Sequence, residues 1–155
     1  MVRHFTGIHD HKLDDKGRVA LPTDFRKVLT TRGSDGALVI VPQLEDPRSH
    51  VAFTAESYDK LIERHNTTDY GSRKRQRQMA VALINRANHV QVDDNGRILI
   101  SKGLREVIGL VKDVRFAGNA SCFEIWTPEG YNAFEAELGD DGDDPVYIDL
   151  RGLDG

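Results

Sequence analysis

Hydrophobic and polar positions alternate in several short stretches of this chain, and such alternation predicts β-strands that are buried on one face. The clearest stretches, rich in β-branched and aromatic residues, are residues 38–41, 90–92, 98–100 and 123–126. Turn residues separate them from their neighbours. The pattern therefore predicts a protein with many short strands.

A second spacing predicts helices between the strands. Phe25, Val28 and Leu29 follow the i, i+3, i+4 spacing of one helical face. Two longer helices are predicted to begin after Thr54 and Thr127, whose hydroxyls can cap a helix N-terminus. The inner faces predicted for these longer helices are Tyr58, Leu61, Ile62 and His65 in the first, and Tyr131, Phe134 and Leu138 in the second.

The order of these elements occurs twice. Residues 13–19 align with residues 92–98 at a shift of 79, and both stretches contain the unit Asp-Asp-x-Gly-Arg. The match continues to Leu104, Val107 and Ile108, which repeat the spacing of the first short helix. After a change in length, residues 53–58 align with residues 126–131 at a shift of 73. An internal duplication is therefore predicted, in which each half contains a hairpin, a short helix, further strands and a longer helix.

The repeated unit combines a turn with an arginine that the turn does not require. Asp and Gly favour a tight hairpin because the carboxylate accepts nearby backbone N–H groups and glycine tolerates the left-handed conformation. The positions are Asp14, Gly17 and Arg18 in the first half, and Asp93, Gly96 and Arg97 in the second. Each Asp can orient its Arg towards phosphate or a guanine edge, or each pair can bind the other half and hold the body together. The sequence leaves both interpretations open.

Charge is distributed unevenly along the 155 residues, whose formal net charge is −4. Residues 139–155 contain six aspartates against one arginine, a net of −5, which leaves +1 for residues 1–138. Residues 70–92 contain no acidic side chain and include a close group of cations, namely Arg73, Lys74, Arg75 and Arg77. Either a solvated helix from residue 73 to about residue 88 or a set of phosphate contacts would account for this group. The acidic segment is predicted to be a mobile tail.

Composition limits the classes of protein that are compatible with the sequence. With 39% hydrophobic and 30% charged residues, one compact, soluble globular body is expected. No apolar run approaches the roughly 18 residues of a membrane span, so a cytoplasmic protein is predicted. The single cysteine, Cys122, cannot form an intrachain disulfide and is predicted to be a buried, inert thiol.

The sequence matches none of the common metal-binding or catalytic patterns that were compared with it. A calcium-binding loop would require acidic side chains where Gln91 and Lys102 stand, and in the first half where Lys12 and Thr23 stand. The histidines at positions 9 and 11 lack a third ligand cluster, and no phosphate-binding glycine loop or nucleophile elbow occurs. No metal, cofactor, small-molecule substrate or catalytic residue is therefore predicted, and the chain is not expected to be an enzyme.

The doubled motif and the residues around it resemble the MraZ family of transcriptional regulators. Over about residues 5–138 the shared features are Asp14 to Arg18 and Asp93 to Arg97, Phe5-x-Gly7, Leu21-Pro22 followed by Phe25-Arg26, the arginine-rich stretch, and Phe123-Glu124-Ile125-Trp126. The resemblance implies an internally duplicated swapped-hairpin, double-split β-barrel of the AbrB-like superfamily. It also implies short helices within a mixed α+β fold, and assembly of several subunits into a homo-oligomeric ring.

The resemblance further implies a sequence-specific DNA-binding regulator that is associated with the nucleoid. Such a protein would bind repeated boxes in double-stranded DNA upstream of its own gene, in the division and cell-wall cluster. The chain would divide into a first half at 1–70, a basic connecting helix at 71–89, a second half at 90–138 and the acidic tail at 139–155. A protein-interaction module of antitoxin-like type is the alternative function.

The resemblance and the charge pattern together assign the expected DNA contacts. These are Lys16 and Arg18 at the first turn, with Arg73, Lys74, Arg75 and Arg77 as partners of the DNA backbone. The motif residues expected either to contact DNA or to hold the structure together are Asp14, Gly17, Asp93, Gly96 and Arg97. Ser101 stands in a region where the family usually has a proline, so the second short helix is expected to begin differently from the first.

Overall fold

A computed structural model describes residues 2–139 of the chain. Its strands are β1 (Ile8–Lys12), β2 (Arg18–Ala20), β3 (Ala37–Pro42), β4 (Ser49–Thr54), β5 (Asn88–Gln91), β6 (Arg97–Leu99), β7 (Asp113–Asn119) and β8 (Cys122–Trp126). Its α-helices are α1 (Thr23–Thr31), α2 (Ala55–Thr67), α3 (Arg73–Ala80), α4 (Lys102–Ile108) and α5 (Pro128–Gly139), and a π-helical turn (Val81–Asn85) follows α3. The mixed α+β class is confirmed. Apart from Gly139, the predicted acidic tail lies outside the described residues.

Six strands form one antiparallel sheet, in the order β1-β7-β8-β4-β3-β5. The remaining two, β2 and β6, pair with each other as a separate two-stranded ribbon. Within residues 2–139, β1 and β5 remain the edges of the larger sheet. The predicted barrel closure is therefore not found in the described part of the chain.

The two halves of the chain pair with each other. β1 pairs with β7 and β5 pairs with β3, so the strand before each Asp-x-x-Gly-Arg turn lies against a strand of the other half. The strands after the turns, β2 and β6, pair around Val19 and Ile98. These two residues hold the same place in the repeated sequence, as do Val51 and Glu124 in the pairing of β4 with β8. Each half therefore supplies strands that complete the pairing of the other.

The main core lies between one face of the sheet and the layer formed by the ribbon, α1 and α4. Phe25 of α1 is fully buried at its centre. Its ring centroid lies 5.2 Å from that of Phe5, 5.0 Å from that of Phe123 and 6.4 Å from that of Phe116. Truncation of a buried ring of this kind costs about 3–5 kcal/mol, so this cluster fixes α1 against the sheet.

The longer helices cover the opposite face of the sheet. Tyr58 and Leu61 of α2 pack on Val39 and Val41 of β3, in a cluster separate from the main core. On β8, Trp126 is fully buried and is covered by the aromatic side chains of α5. The sheet thus separates two layers, with the ribbon on one side and α2 and α5 on the other.

The helix N-termini agree with the sequence prediction. Thr54 and Thr127 each accept the backbone N–H of the third residue that follows, at 3.1 and 2.9 Å. Ser101 caps α4 in the same way at 3.2 Å, whereas α1 follows Pro22 and has no side-chain cap. The two short helices therefore begin differently, as expected from the serine at position 101.

Three details of the helix predictions are wrong. Val107 is 68% exposed because the short α4 directs only Leu104 and Ile108 into the core. Leu138 is 59% exposed because it lies in the last turn of α5, beyond the aromatic contact with β8. The helix predicted from residue 73 to about residue 88 is α-helical only to Ala80, after which a wider π-helical turn leads into β5.

Candidate nucleic-acid interface

The first Asp-x-x-x-Arg motif forms the turn between β1 and β2. Oδ1 of Asp14 accepts the backbone N–H groups of Lys16 and Arg18, each at 2.9 Å. Nε of Arg18 donates to Oδ2 of the same carboxylate, also at 2.9 Å. One aspartate therefore holds both the turn backbone and the guanidinium of Arg18. Within residues 2–139, the terminal Nη groups of Arg18 make no hydrogen bond and remain available as donors.

The second motif repeats the turn and holds its arginine less tightly. Oδ1 of Asp93 accepts the backbone N–H groups of Asn95 and Arg97 at 2.8 and 3.0 Å. Nε of Arg97 lies 3.4 Å from Oδ2 of Asp93, and within the described residues this buried nitrogen has no hydrogen-bond partner. The second turn also carries Asn95 where the first carries Lys16. The first turn is therefore neutral where the second carries a net charge of −1, and it holds its arginine more tightly.

The ribbon directs both motif arginines to the same side. Val19 and Ile98 are 1% exposed and face the core, so their neighbours in the alternating strands face outwards. Arg18 lies opposite Leu99, and Arg97 lies opposite Ala20. The two arginines are thus diagonal neighbours on the outer face of the ribbon, a relationship that places Cα atoms about 7–8 Å apart.

Arginines from the short helices lie against the turns of the opposite half, an arrangement that the sequence analysis did not identify. A Cβ atom added to Gly17 would lie 2.9 Å from Cζ of Arg105, and one added to Gly96 would lie 2.6 Å from Nη1 of Arg26. Both glycines also have positive φ angles, +87° and +77°. Glycine is therefore required at each turn by conformation, and at Gly17 also by space, because the added Cβ would lie 2.8 Å from the carbonyl oxygen of Ile100. The only signal in the sequence was that Arg26 aligns with Arg105 in the repeat.

Hydrogen bonding lowers the pKa of both motif carboxyls. For Asp14 and Asp93 the largest cause is the backbone N–H of the motif arginine, and other contacts within the turn add to it. Each carboxylate is therefore ionised near neutral pH. A fixed anion beside each arginine limits the positive charge of the turn and orients it.

The basic helix does not share a face of the sheet with the ribbon. Ser72 caps α3, and the side chains of Arg73, Lys74, Arg75 and Arg77 are all exposed. The helix and the turn after it pack through Met79 and Leu83 on the face of β3 opposite the ribbon. The predicted set of DNA contacts thus divides into two separate surfaces within one chain.

At the two turns, backbone hydrogen bonds connect the halves, and the side chains of the motif Asp and Arg residues do not. The N–H of Leu21 donates to the carbonyl of Gly96, and the N–H of Ile100 donates to the carbonyl of Gly17, each at 2.9 Å. Arg18 donates to Asp14 of its own turn, whereas Arg97 forms only an ion pair with Asp93, with Nε and Oδ2 3.4 Å apart.

Cys122 is buried, and burial raises the pKa of its thiol, in agreement with the predicted inert cysteine. Residues 2–139 contain no group of three or more potential metal-ligating side chains. The helices in this part of the chain are too short or too polar to span a membrane.

Comparison with known proteins places these features in a family. Residues 83–144 match the family model described as "MraZ protein, putative antitoxin-like". A relative named transcriptional regulator MraZ from Parvibaculum lavamentivorans is 33% identical over 138 residues, 88% of this chain and 83% of the relative. A relative of the same name from Corynebacterium kroppenstedtii is 32% identical over 157 residues, 94% of this chain and 99% of the relative. One from Leuconostoc citreum is 31% identical over 145 residues, 90% and 92% of the two chains.

The matches cover 83% to 99% of the length of these relatives. Relatives that carry the name of transcriptional regulators confirm the prediction that the chain is not an enzyme. The chain therefore belongs to the MraZ family.

Proposed function

We propose that this protein is a transcriptional regulator that binds double-stranded DNA through the outer face of the β2–β6 ribbon. The observation that supports the proposal most directly is the fixed guanidinium of Arg18, oriented by Asp14 with its Nη groups unbonded within the described residues. The relatives named as transcriptional regulators support the same function class.

Arg18 is the residue assigned to direct contact with a base. A guanine presents two acceptors in the major groove, and the two terminal nitrogens of an arginine match them. Since Asp14 already holds Nε, little conformational entropy remains to be lost when Arg18 binds. Lys16, exposed on the same turn, supplies a phosphate contact beside it.

The two turns are assigned unequal roles. Arg97 lies on the same outer face as Arg18, but its turn carries Asn95 where the first carries Lys16, so the two aspartates that both turns contain leave the second turn with a net charge of −1. A net negative turn is less favourable near phosphate. We assign the primary contact to the first turn and a secondary, positioning contact to Arg97.

The proposal includes the assembly and the target. The repeated element order and the pairing around Val19 and Ile98 support an internally duplicated, swapped-hairpin fold, with halves at 1–70 and 90–138 joined by 71–89. Several copies in a homo-oligomeric ring would engage repeated boxes upstream of the protein's own gene, and simultaneous contacts would raise avidity. In a ring, α3 of one subunit can supply backbone contacts near the ribbon of another. The expected location is the cytoplasm, in association with the nucleoid.

A DNA titration tests the function. The upstream DNA of the gene and a scrambled duplex of equal length are titrated with the full chain at two salt concentrations. Tighter binding to the upstream DNA is expected, because base contacts add to the phosphate contacts that both duplexes offer. Equal affinity for both duplexes would contradict sequence-specific recognition, and absence of binding to either would contradict the function.

Arg18→Ala is the matched variant, with Lys60→Ala as its control because Lys60 lies on α2 on the opposite face of the sheet. Loss of a bidentate base contact costs about 1–3 kcal/mol on the specific duplex and relaxes specificity. An equal loss on the scrambled duplex would make Arg18 a phosphate contact instead.

A further inference from the structure

The helix α4 contacts the first turn from the other half of the chain. The guanidinium of Arg105 lies against Gly17, where a Cβ atom would come within 2.9 Å of Cζ and 3.0 Å of Nε. Nε of Arg105 donates to the carbonyl of Ile100 at 3.0 Å, and the N–H of Ile100 donates to the carbonyl of Gly17 at 2.9 Å. Arg105, Ile100 and Gly17 thus form one continuous set of contacts.

The same relationship occurs at the second turn with the halves exchanged. Arg26 of α1 lies against Gly96, where a Cβ atom would come within 2.7 Å of Cδ and 2.6 Å of Nη1. Nη2 of Arg26 donates to the hydroxyl of Thr23 at 3.1 Å, which holds the side chain along its own helix. The N–H of Leu21 donates to the carbonyl of Gly96 at 2.9 Å.

Neither arginine forms an ion pair with a carboxylate among residues 2–139. Long arginine side chains commonly lie on a surface through their stems while the charge stays in solvent. Here the planar group covers a glycine that is buried in each turn. Such a contact restricts the turn backbone without competing with the motif arginine for its aspartate.

We infer that Arg105 and Arg26 are positioning residues, each holding the Asp-x-x-x-Arg turn of the opposite half in the geometry that presents its arginine. The DNA-binding turn of one half therefore depends on the short helix of the other half. This inference rests on the proposed function for its consequence at DNA, but its structural content can be tested without DNA.

Amide hydrogen exchange of the full chain tests the structural content. Arg105→Met keeps an unbranched apolar stem and removes the planar donor, and it is expected to speed exchange in residues 14–18 on the order of fivefold, the effect of losing one weak hydrogen bond. Residues 93–97 should be unchanged. Arg26→Met is the matched control. It should speed hydrogen exchange in residues 93–97 and leave residues 14–18 unchanged.

Equal acceleration at both turns would show general destabilisation and would overturn the inference, as would no acceleration at either turn. Should Arg105→Met fail to fold, Arg105→Lys, which keeps the stem and the charge but not the planar face, serves for the same comparison of the two turns.

Binding to the upstream duplex separates positioning from direct contact. Arg105→Met is expected to weaken specific binding at least several-fold while the slope of log K against log salt stays the same. A decrease of the slope by about 0.9 would make Arg105 a phosphate contact and would overturn the positioning role. If the unaltered chain does not bind DNA, the proposed function fails, and hydrogen exchange alone decides whether the arginines hold the turns.

Discussion

Val19 and Ile98 face each other at the centre of the β2–β6 ribbon, and each is 1% exposed. Because side chains alternate along a strand, the burial of this pair determines that Arg18 and Arg97 face outwards. The pair therefore links the stability of the core to the presentation of the candidate DNA contacts.

Ile98→Ala is expected to lower the free energy of unfolding by about 2–5 kcal/mol, since it removes three buried carbons and leaves a cavity. Leu99→Ala is the control. Leu99 is the next residue of the same strand and is 54% exposed, so its truncation should change stability by about 0.5 kcal/mol or less. Urea denaturation measures both, and similar losses in the two variants would contradict the assignment of faces.

Acid should lower the free energy of unfolding by protonating the aspartates of both turns. The pKa values of Asp14 and Asp93 are lowered in the folded chain by hydrogen bonds from the backbone N–H groups of Arg18 and Arg97. A carboxyl with a lowered folded pKa stabilises the fold above its unfolded pKa, about 3.9, and loses that contribution as pH falls through the folded value.

Denaturation between pH 6 and pH 2 measures the effect. The double variant Asp14→Asn and Asp93→Asn should show a shallower fall in stability with acid than the unaltered chain, because it has two fewer such carboxyls to protonate. An identical acid dependence would mean that the turn carboxylates make no pH-dependent contribution.

Contacts from α3 to the DNA backbone would show in the salt dependence of binding. Arg75→Gln should reduce the slope of log K against log salt by about 0.9 if Arg75 neutralises one phosphate. Affinity should fall on specific and scrambled DNA alike. Lys60→Gln, at an exposed cation on α2, is the comparison variant and should leave the slope unchanged. An unchanged slope for Arg75→Gln would leave α3 as a solvated helix, the other interpretation of its charge.

Exposed apolar side chains near α4 offer a surface for self-association. Val107 is 68% exposed and Val111 is 89% exposed, whereas the other exposed side chains of this helix and loop are polar. Val107→Glu combined with Val111→Glu is expected to reduce the molar mass measured by light scattering, because burial of the introduced carboxylates at a subunit contact is costly. Lys112→Glu controls for added negative charge. An unchanged mass in the valine variant would exclude this surface as a subunit contact, and a monomeric mass for the unaltered chain would contradict the proposed assembly.

The sequence predicted both turns, the caps of the longer helices and the strands near residues 38–41, 90–92, 98–100 and 123–126, because these depend on local chemistry. Thr54 caps its helix wherever the helix packs. Local chemistry could not predict that Arg105 lies on Gly17, since the two residues are far apart in the chain. The exposure of Val107 was missed because its spacing fits a helical face, while the limited length of α4 decides which residues reach the core. The separation of α3 from the ribbon depends on which face of β3 each packs against, and the charge pattern carries no information about that.

The pairing of β1 with β7 has a consequence for the order of folding. Asp10 and Arg115, which form an ion pair at 2.8 Å between these strands, are 105 positions apart in the chain. At a synthesis rate of about 5–20 residues per second, the first strand waits for roughly 5–20 seconds on the ribosome before its partner emerges. Long-range pairing of this kind also slows folding, because the loop must close before the contacts form. During that interval β1 has an unpaired edge that a neighbouring nascent chain or a chaperone can contact, so the expression level and the rate of translation should influence how much of this protein folds correctly.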